Sequence, residues 1–183
     1  MSQWRNTAER YGIVSQLFHW TIVALVITQF VLANLAHDAP TMQKLALINW
    51  HKWSGMTILM LAVLRLTWRL ANVVPEIPAT TAPWQRWAAR LSHTLLYVLL
   101  FAMPLSGWLM SSARNFPVSW FGLFTFPDLV RPDRALYEVF HEIHEILAAT
   151  LFVTAIIHLS AALKHHFIDR DNVLRRMLPV RLK

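Results

Sequence analysis

The sequence predicts an all-α protein: an integral membrane four-helix bundle running up-down-up-down, with both termini in the cytoplasm. Three observations carry this. The chain of 183 residues is 56% hydrophobic with only four glycines, too apolar for a water-soluble domain of its size. It contains three long uncharged runs, and a fourth whose charges lie toward its ends. Its seventeen basic residues divide unevenly between the connections, twelve on one side and five on the other.

The first span, about 13–36, has no charged residue between Ile13 and Ala36. Nothing before it resembles the basic region and small-residue cleavage site of a removable signal, so it is expected to be retained. The second span, about 46–70, lies within Leu45 to Leu70 and contains Lys52, Arg65 and Arg69, whose long stems can snorkel to the interface. The third, about 89–112, follows from the uncharged run Leu91 to Ala113, and the fourth, about 143–165, from the run of eighteen between Ile146 and Leu163. Tryptophans fall where an aromatic belt would put them: Trp50, Trp53 and Trp68 on the second span, Trp84, Trp87 and Trp108 around the third. Pro75, Pro78 and Pro83 punctuate the second connection. The third, from Ser112 to about Arg134, holds Pro117, Pro127 and Pro132 among aromatics and is expected along the outer interface. With no internal repeat, residues 1–183 read as a single domain.

The loops orient the bundle. Arg5, Arg10, Arg65, Arg69, Arg86, Arg90, Lys164, Arg170, Arg175, Arg176, Arg181 and Lys183 share one side, which the positive-inside rule makes cytoplasmic. Lys44, Lys52, Arg114, Arg131 and Arg134 occupy the other. The +7 net charge is thereby a signature of topology, and no nucleic-acid partner is needed to explain it. The absence of cysteine excludes disulfides, thiolate-held iron–sulfur clusters and thioether attachment of haem.

Histidines then acquire depth. His144 and His158 are fourteen residues apart on the fourth span. On a helix that is about 21 Å along the axis and within about 40° in direction, so one face offers two nitrogen ligands near opposite edges of the hydrocarbon core. Either imidazole alone reads as a buried, hydrogen-bonded side chain. Together they match partners at two levels: His51 with His144 outside, and His158 with His19 or His93 inside. Two haems stacked across a bilayer need that arrangement. Bis-histidine ligation leaves iron no open position, which suits electron transfer. Gly55, Ala148, Ala89 and Ser15, each a turn from one of these histidines, are expected to leave room for a macrocycle or for close helix packing.

A zinc-protease reading fails. In His141-Glu142-Ile143-His144-Glu145 the position four after the first histidine is glutamate, whereas that motif needs a second histidine there. His141 is expected beside the outer haem, His37 in a loop, and His165 and His166 at the cytoplasmic interface.

At this point the residues resemble the prokaryotic cytochrome b-561 family. The stretches that carry the resemblance are Arg10-Tyr11-Gly12 with Phe18-His19-Trp20, then His51-Lys52-Trp53-Ser54-Gly55, then His93 with Leu96-Tyr97 and Met103-Pro104-Leu105-Ser106-Gly107. His158 through Ala161-Ala162-Leu163-Lys164-His165-His166-Phe167, and Asp169 to Met177, complete it. The resemblance implies a four-helix cytochrome of the bacterial inner membrane with two b haems, related to the cytochrome b subunits of membrane hydrogenases and formate dehydrogenases. By that pattern His51 and His144 hold the outer haem, and His19 and His158 the inner. The choice of His19 over His93 comes from the resemblance; spacing leaves it open.

One branch of that family oxidises periplasmic superoxide and passes the electrons to ubiquinone. Under this reading Lys52, Lys44, Arg114, Arg131 and Arg134 could draw in a small anion, locally, because Asp128, Asp133, Glu138, Glu142 and Glu145 share their side. Arg69, His93, Lys164 and His165 could bond a quinone oxygen or the inner haem's propionates. Two other classes remain open from sequence: a cytochrome b subunit docking a dehydrogenase or c-type cytochrome as its protein electron donor, and a non-redox bundle whose histidines relay protons.

Overall fold

Four long helices take up the apolar runs: α1 (Ile13–Asp38), α2 (Thr41–Leu70), α3 (Pro83–Ala113) and α4 (Arg134–Phe167). The computed structural model describes residues 3–76 and 81–178, so Pro78, Arg181 and Lys183 lie outside the described residues. A two-stranded antiparallel ribbon, β1 (Ser119–Trp120) with β2 (Phe124–Thr125), and a 3-10 turn at Arg175–Met177 complete the elements.

The helices outrun the spans read from sequence, most of all at their starts, because hydropathy sees only the apolar stretch. Pro83 stands first in α3, where its missing N–H costs nothing. α4 begins nine residues before its expected span because Asp133 caps it: Leu136 N–H donates to Asp133 Oδ1 at 3.0 Å, a contact worth about 1 kcal/mol. His37, expected in a loop, sits instead in the last turn of α1, its Nδ1 2.8 Å from Asp38.

α1, α3 and α4 are long and apolar enough to cross a membrane. α2 is as long, but Asn49, His51 and Lys52 interrupt its first half, and Arg65 and Arg69 its second. Large apolar side chains face outward along the helices. Ile27 is 60% exposed and Ile157 59%, a surface suited to lipid and costly in water.

Contacts divide the chain into two compact units. The first gathers Met1–Thr21, Val63–Val98 and Thr150–Lys183, and the second Ile22–Ala62 and Leu99–Ala149. Every long helix therefore contributes one segment to each unit.

In the first unit the start of α1 is tied by polar groups. Asn6 Oδ1 accepts from Gly12 N–H at 2.9 Å and from the Ser15 hydroxyl at 2.7 Å, and Ser15 Oγ in turn accepts from Trp68 Nε1 at 3.1 Å. Ser15 is thus occupied as a junction of hydrogen bonds. Trp20 Nε1 donates to Met177 O at 2.8 Å and Arg10 to Leu178 O at 2.8 Å, which fixes the segment after α4.

The second unit packs Ile22, Ile58, Ala62 and Leu100 together, with Leu25, Val26, Leu61 and Phe101 around them. Pro104 lies inside α3 and deprives the Leu100 carbonyl of its helical donor. The connection before α4 is more ordered than proline content suggests. Positive φ at Phe121 (49°) and Gly122 (74°) makes a left-handed turn, closed by Leu123 N–H donating to Trp120 O at 2.9 Å. Trp53 Nε1 donates to Ser119 Oγ at 3.0 Å, Trp120 Nε1 to Thr57 Oγ1 at 3.1 Å, and Trp108 Nε1 to Pro127 O at 3.0 Å. These tryptophans hold the connection down.

Lys52 joins them. Its ammonium donates to Phe116 O at 2.9 Å and Pro117 O at 2.6 Å, and lies 3.6 Å from the centre of the Phe116 ring. Charge-assisted bonds contribute about 1.5–3 kcal/mol when buried. Because one of these is exposed, Lys52→Ala is expected to cost about 1–2 kcal/mol and to speed proteolysis between residues 114 and 133, read by timed digestion in detergent.

Candidate haem-binding sites

Each unit brings together one group of the predicted histidines. In the second, the His51 and His144 ring centres are 6.3 Å apart at an interplanar angle of 70°. In the first, His19 and His158 are 6.4 Å apart at 73°, while His93 stands 5.4 Å from His158. Two imidazoles that hold one metal from opposite sides, each through a nitrogen at roughly 2 Å, have ring centres about 6–6.5 Å apart. His51 with His144, and His19 with His158, meet that spacing. His93 with His158 is too close.

The second unit prepares His144 closely. Ser106 gives its only proton to Met103 O at 2.8 Å, so its oxygen accepts from His144 Nδ1–H at 2.9 Å. That fixes the tautomer and leaves Nε2 with a free lone pair, the state a metal ligand needs. Gly107 supplies the space: a Cβ there would meet His144 Cε1 at 3.1 Å. Gln29 Nε2 on α1 donates to the carbonyl of His51 on α2 at 3.0 Å, while among the described residues His51 Nδ1 is buried without a hydrogen-bond partner. Gly55 makes room for that glutamine, since a Cβ would meet Gln29 Nε2 at 3.1 Å. Of the two uses expected of Gly55, this contact is close helix packing. Lys52 follows His51 in sequence, yet its ammonium is committed to the Phe116 and Pro117 carbonyls. Arg114 donates to the Tyr137 hydroxyl at 3.3 Å, a neutral partner that leaves its charge in place.

The first unit differs. Arg65 Nη1 lies 3.2 Å from His19 Nδ1, and its Nε donates to the Tyr97 hydroxyl at 3.2 Å. Arg69 sits over the same tyrosine, 5.6 Å from the ring centre. Lys164 and His165, both singled out from sequence, form a separate cluster. Lys164 bonds both Asp169 oxygens at 2.7 and 2.8 Å, and His165 Nδ1 meets Asp171 Oδ2 at 2.6 Å. His165, Asp169 and Asp171 are close enough to share a cation. The lysine already supplies that charge. His141 is 3.8 Å from Glu145 and 5.7 Å from the Tyr137 ring centre, an interfacial position.

Ser106, Gly107, Gln29, Arg65 and Tyr97 are the neighbours sequence reading gave no site role. Arg65 carried a signal, an unpaired charge within a span. The others are visible only once helices meet.

The sequence model of prokaryotic cytochrome b561 matches residues 10–180. The chain belongs to the prokaryotic cytochrome b561 family. It is 37% identical to the cytochrome b561 homolog 2 of Escherichia coli K12, over 94% of this chain and 93% of that protein. It is 28% identical to the probable superoxide oxidase CybB of Yersinia pestis, over 93% and 97%. The cytochrome b561 homolog 1 of E. coli K12 matches at 28%, over 94% and 98%. Family membership makes this a bacterial membrane electron-transfer protein and implies haem b. The donor set fits: paired imidazoles at ligand spacing, a preset tautomer on His144 and a glycine beneath its ring.

Two expected results follow from the His144 surroundings. Ser106→Ala removes the tautomer lock, and loss of such a partner typically weakens metal affinity 10–100-fold. Haem transfer to excess apomyoglobin should show one phase accelerated by roughly that factor. Gly107→Ala sets two effects against each other. Alanine favours a helix by up to about 1 kcal/mol, but its methyl must move the His144 ring. The expected outcome is a helix no less stable, with one haem's low-spin spectrum perturbed.

Proposed function

We propose that the chain is a single transmembrane di-haem domain, an electron-transfer cytochrome b running between a donor on the outer side and the quinone pool. His51 and His144 would ligate one haem b, His19 and His158 the other. The observation that carries this is the pair of ring separations, 6.3 and 6.4 Å, arising independently in two units. Bound haem supplies one-electron storage and transfer, with no open coordination position for oxygen. The distribution of basic residues supports cytoplasmic termini, with the His51 pair toward the outer face and the His19 pair toward the cytoplasm.

Superoxide is the donor this reading favours, supported by the name of the Yersinia pestis relative. Two superoxide ions lose one electron each and leave as dioxygen. A ubiquinone takes those two electrons with two protons and leaves as quinol. The chain's own residues orient and stabilise. His93, beside His158, would donate to a quinone oxygen as it gains charge. Lys164 and His165, bound to Asp169 and Asp171, would serve at the same cytoplasmic level as second-rank partners.

The test is stopped-flow mixing of the oxidised protein with superoxide, with and without ubiquinone. Rapid appearance of reduced b-type bands, followed by quinone-dependent reoxidation, is expected. Reduction no faster than superoxide's own disproportionation removes superoxide as donor. Absence of b-type bands altogether removes the cytochrome reading.

A further inference from the structure

Arg65 and Arg69 stand one turn apart on α2, and both lie against Tyr97, at 5.5 and 5.6 Å from its ring centre. Both are partly buried. Among the described residues neither guanidinium has a carboxylate partner. The nearby chemistry is a phenol hydroxyl and an imidazole, while Asp169 is taken by Lys164 and Asp171 by His165. Two uncompensated cations in a unit otherwise built for lipid imply an anion that the chain itself does not provide.

The Arg65 contact adds a constraint. A guanidinium has five donors and no acceptor. Its bond to His19 Nδ1 therefore makes that nitrogen an acceptor and puts the ring proton on Nε2. An imidazole that ligates iron through Nε2 carries its proton on Nδ1. The Arg65 bond and ligation exclude each other. His144 has no such conflict, because Ser106 accepts at Nδ1.

We propose that Arg65 and Arg69 form a carboxylate clamp for a haem propionate, and that Arg65 leaves His19 for that carboxylate when the imidazole ligates iron. This rests on the reading that His19 and His158 hold a haem b. A planar guanidinium matches a carboxylate with two parallel N–H bonds. A quinone carbonyl is neutral and would leave both charges uncompensated. Tyr97 keeps the pair in place by contact with both side chains, and its hydroxyl remains an acceptor for Arg65 Nε.

The test uses full-length chain loaded with iron protoporphyrin IX or with its dimethyl ester, which has no carboxylates. The readout is the rate of haem transfer to excess apomyoglobin. With natural haem, R65Q should accelerate one of two phases about tenfold, R65K should restore part of the loss, and R69Q should give a smaller acceleration of that phase. With the ester, wild type and R65Q should release haem equally fast. An equal R65Q effect on both pigments would overturn the clamp, placing Arg65's action at His19 or in the fold. Unchanged release of natural haem from R65Q overturns it as well. Failure of the underlying reading looks different: wild type would then bind fewer than two low-spin haems before any arginine is altered.

Discussion

His158→Ala is expected to bring bound haem from about two per chain to about one, read by pyridine haemochrome stoichiometry. His158 is the residue on which the first unit's histidines converge, with His19 at 6.4 Å and His93 at 5.4 Å. Removing it leaves one imidazole of the fitting pair, and an iron held on one side only is expected to turn high-spin or be lost. Neither histidine beyond it on α4 can substitute by a rotamer change. His165 and His166 lie two turns further along α4, and His165 is fixed to Asp171 at 2.6 Å. His144→Ala should remove the other haem by the same logic and leave the His158 haem spectrally intact. Retention of both low-spin haems in either variant would remove that ligand from the assignment.

How much of this was legible from residues alone follows from what each signal depends on. The helices were legible because lipid imposes long apolar runs, and Ile13 to Ala36 or Ile146 to Leu163 admit few other readings. Their ends were not, because Asp133 and Pro83 work through capping and dihedral preference, to which hydropathy is blind. The histidine groups were legible because fourteen residues on a helix fixes both height and direction. Choosing between His19 and His93 was not, since both lie at one level on different helices. That choice turns on a difference of 1 Å in ring separation. The hydrogen bonds of Lys52 were not legible, because a chain position beside His51 says nothing about which carbonyl the ammonium reaches. Its partners lie 64 and 65 residues away. Ser106 and Gly107 fell within a recognised stretch, but their roles need the α3 surface to meet His144, which the sequence does not display.

The sharpest separation is expected between His93→Ala and His19→Ala. For two imidazoles holding one iron from opposite sides, the His93–His158 separation of 5.4 Å would require each nitrogen to approach well inside the roughly 2 Å of a metal–imidazole bond. His19 at 6.4 Å already stands at the fitting separation. His93→Ala should therefore keep two low-spin haems and keep superoxide-driven reduction, while quinone-dependent reoxidation slows. Loss of one donor aimed at developing negative charge costs about 10²–10³-fold in a closed site; at an interfacial quinone, in a wetter setting, about 10–100-fold is expected. His19→Ala should lose or convert one haem before any quinone step can be observed. The two variants thus fail at different stages, and paired spectra and reoxidation traces distinguish them. A His93→Ala protein that lost a low-spin haem, with His19→Ala keeping both, would exchange the two residues' roles and leave His158 as ligand in either case.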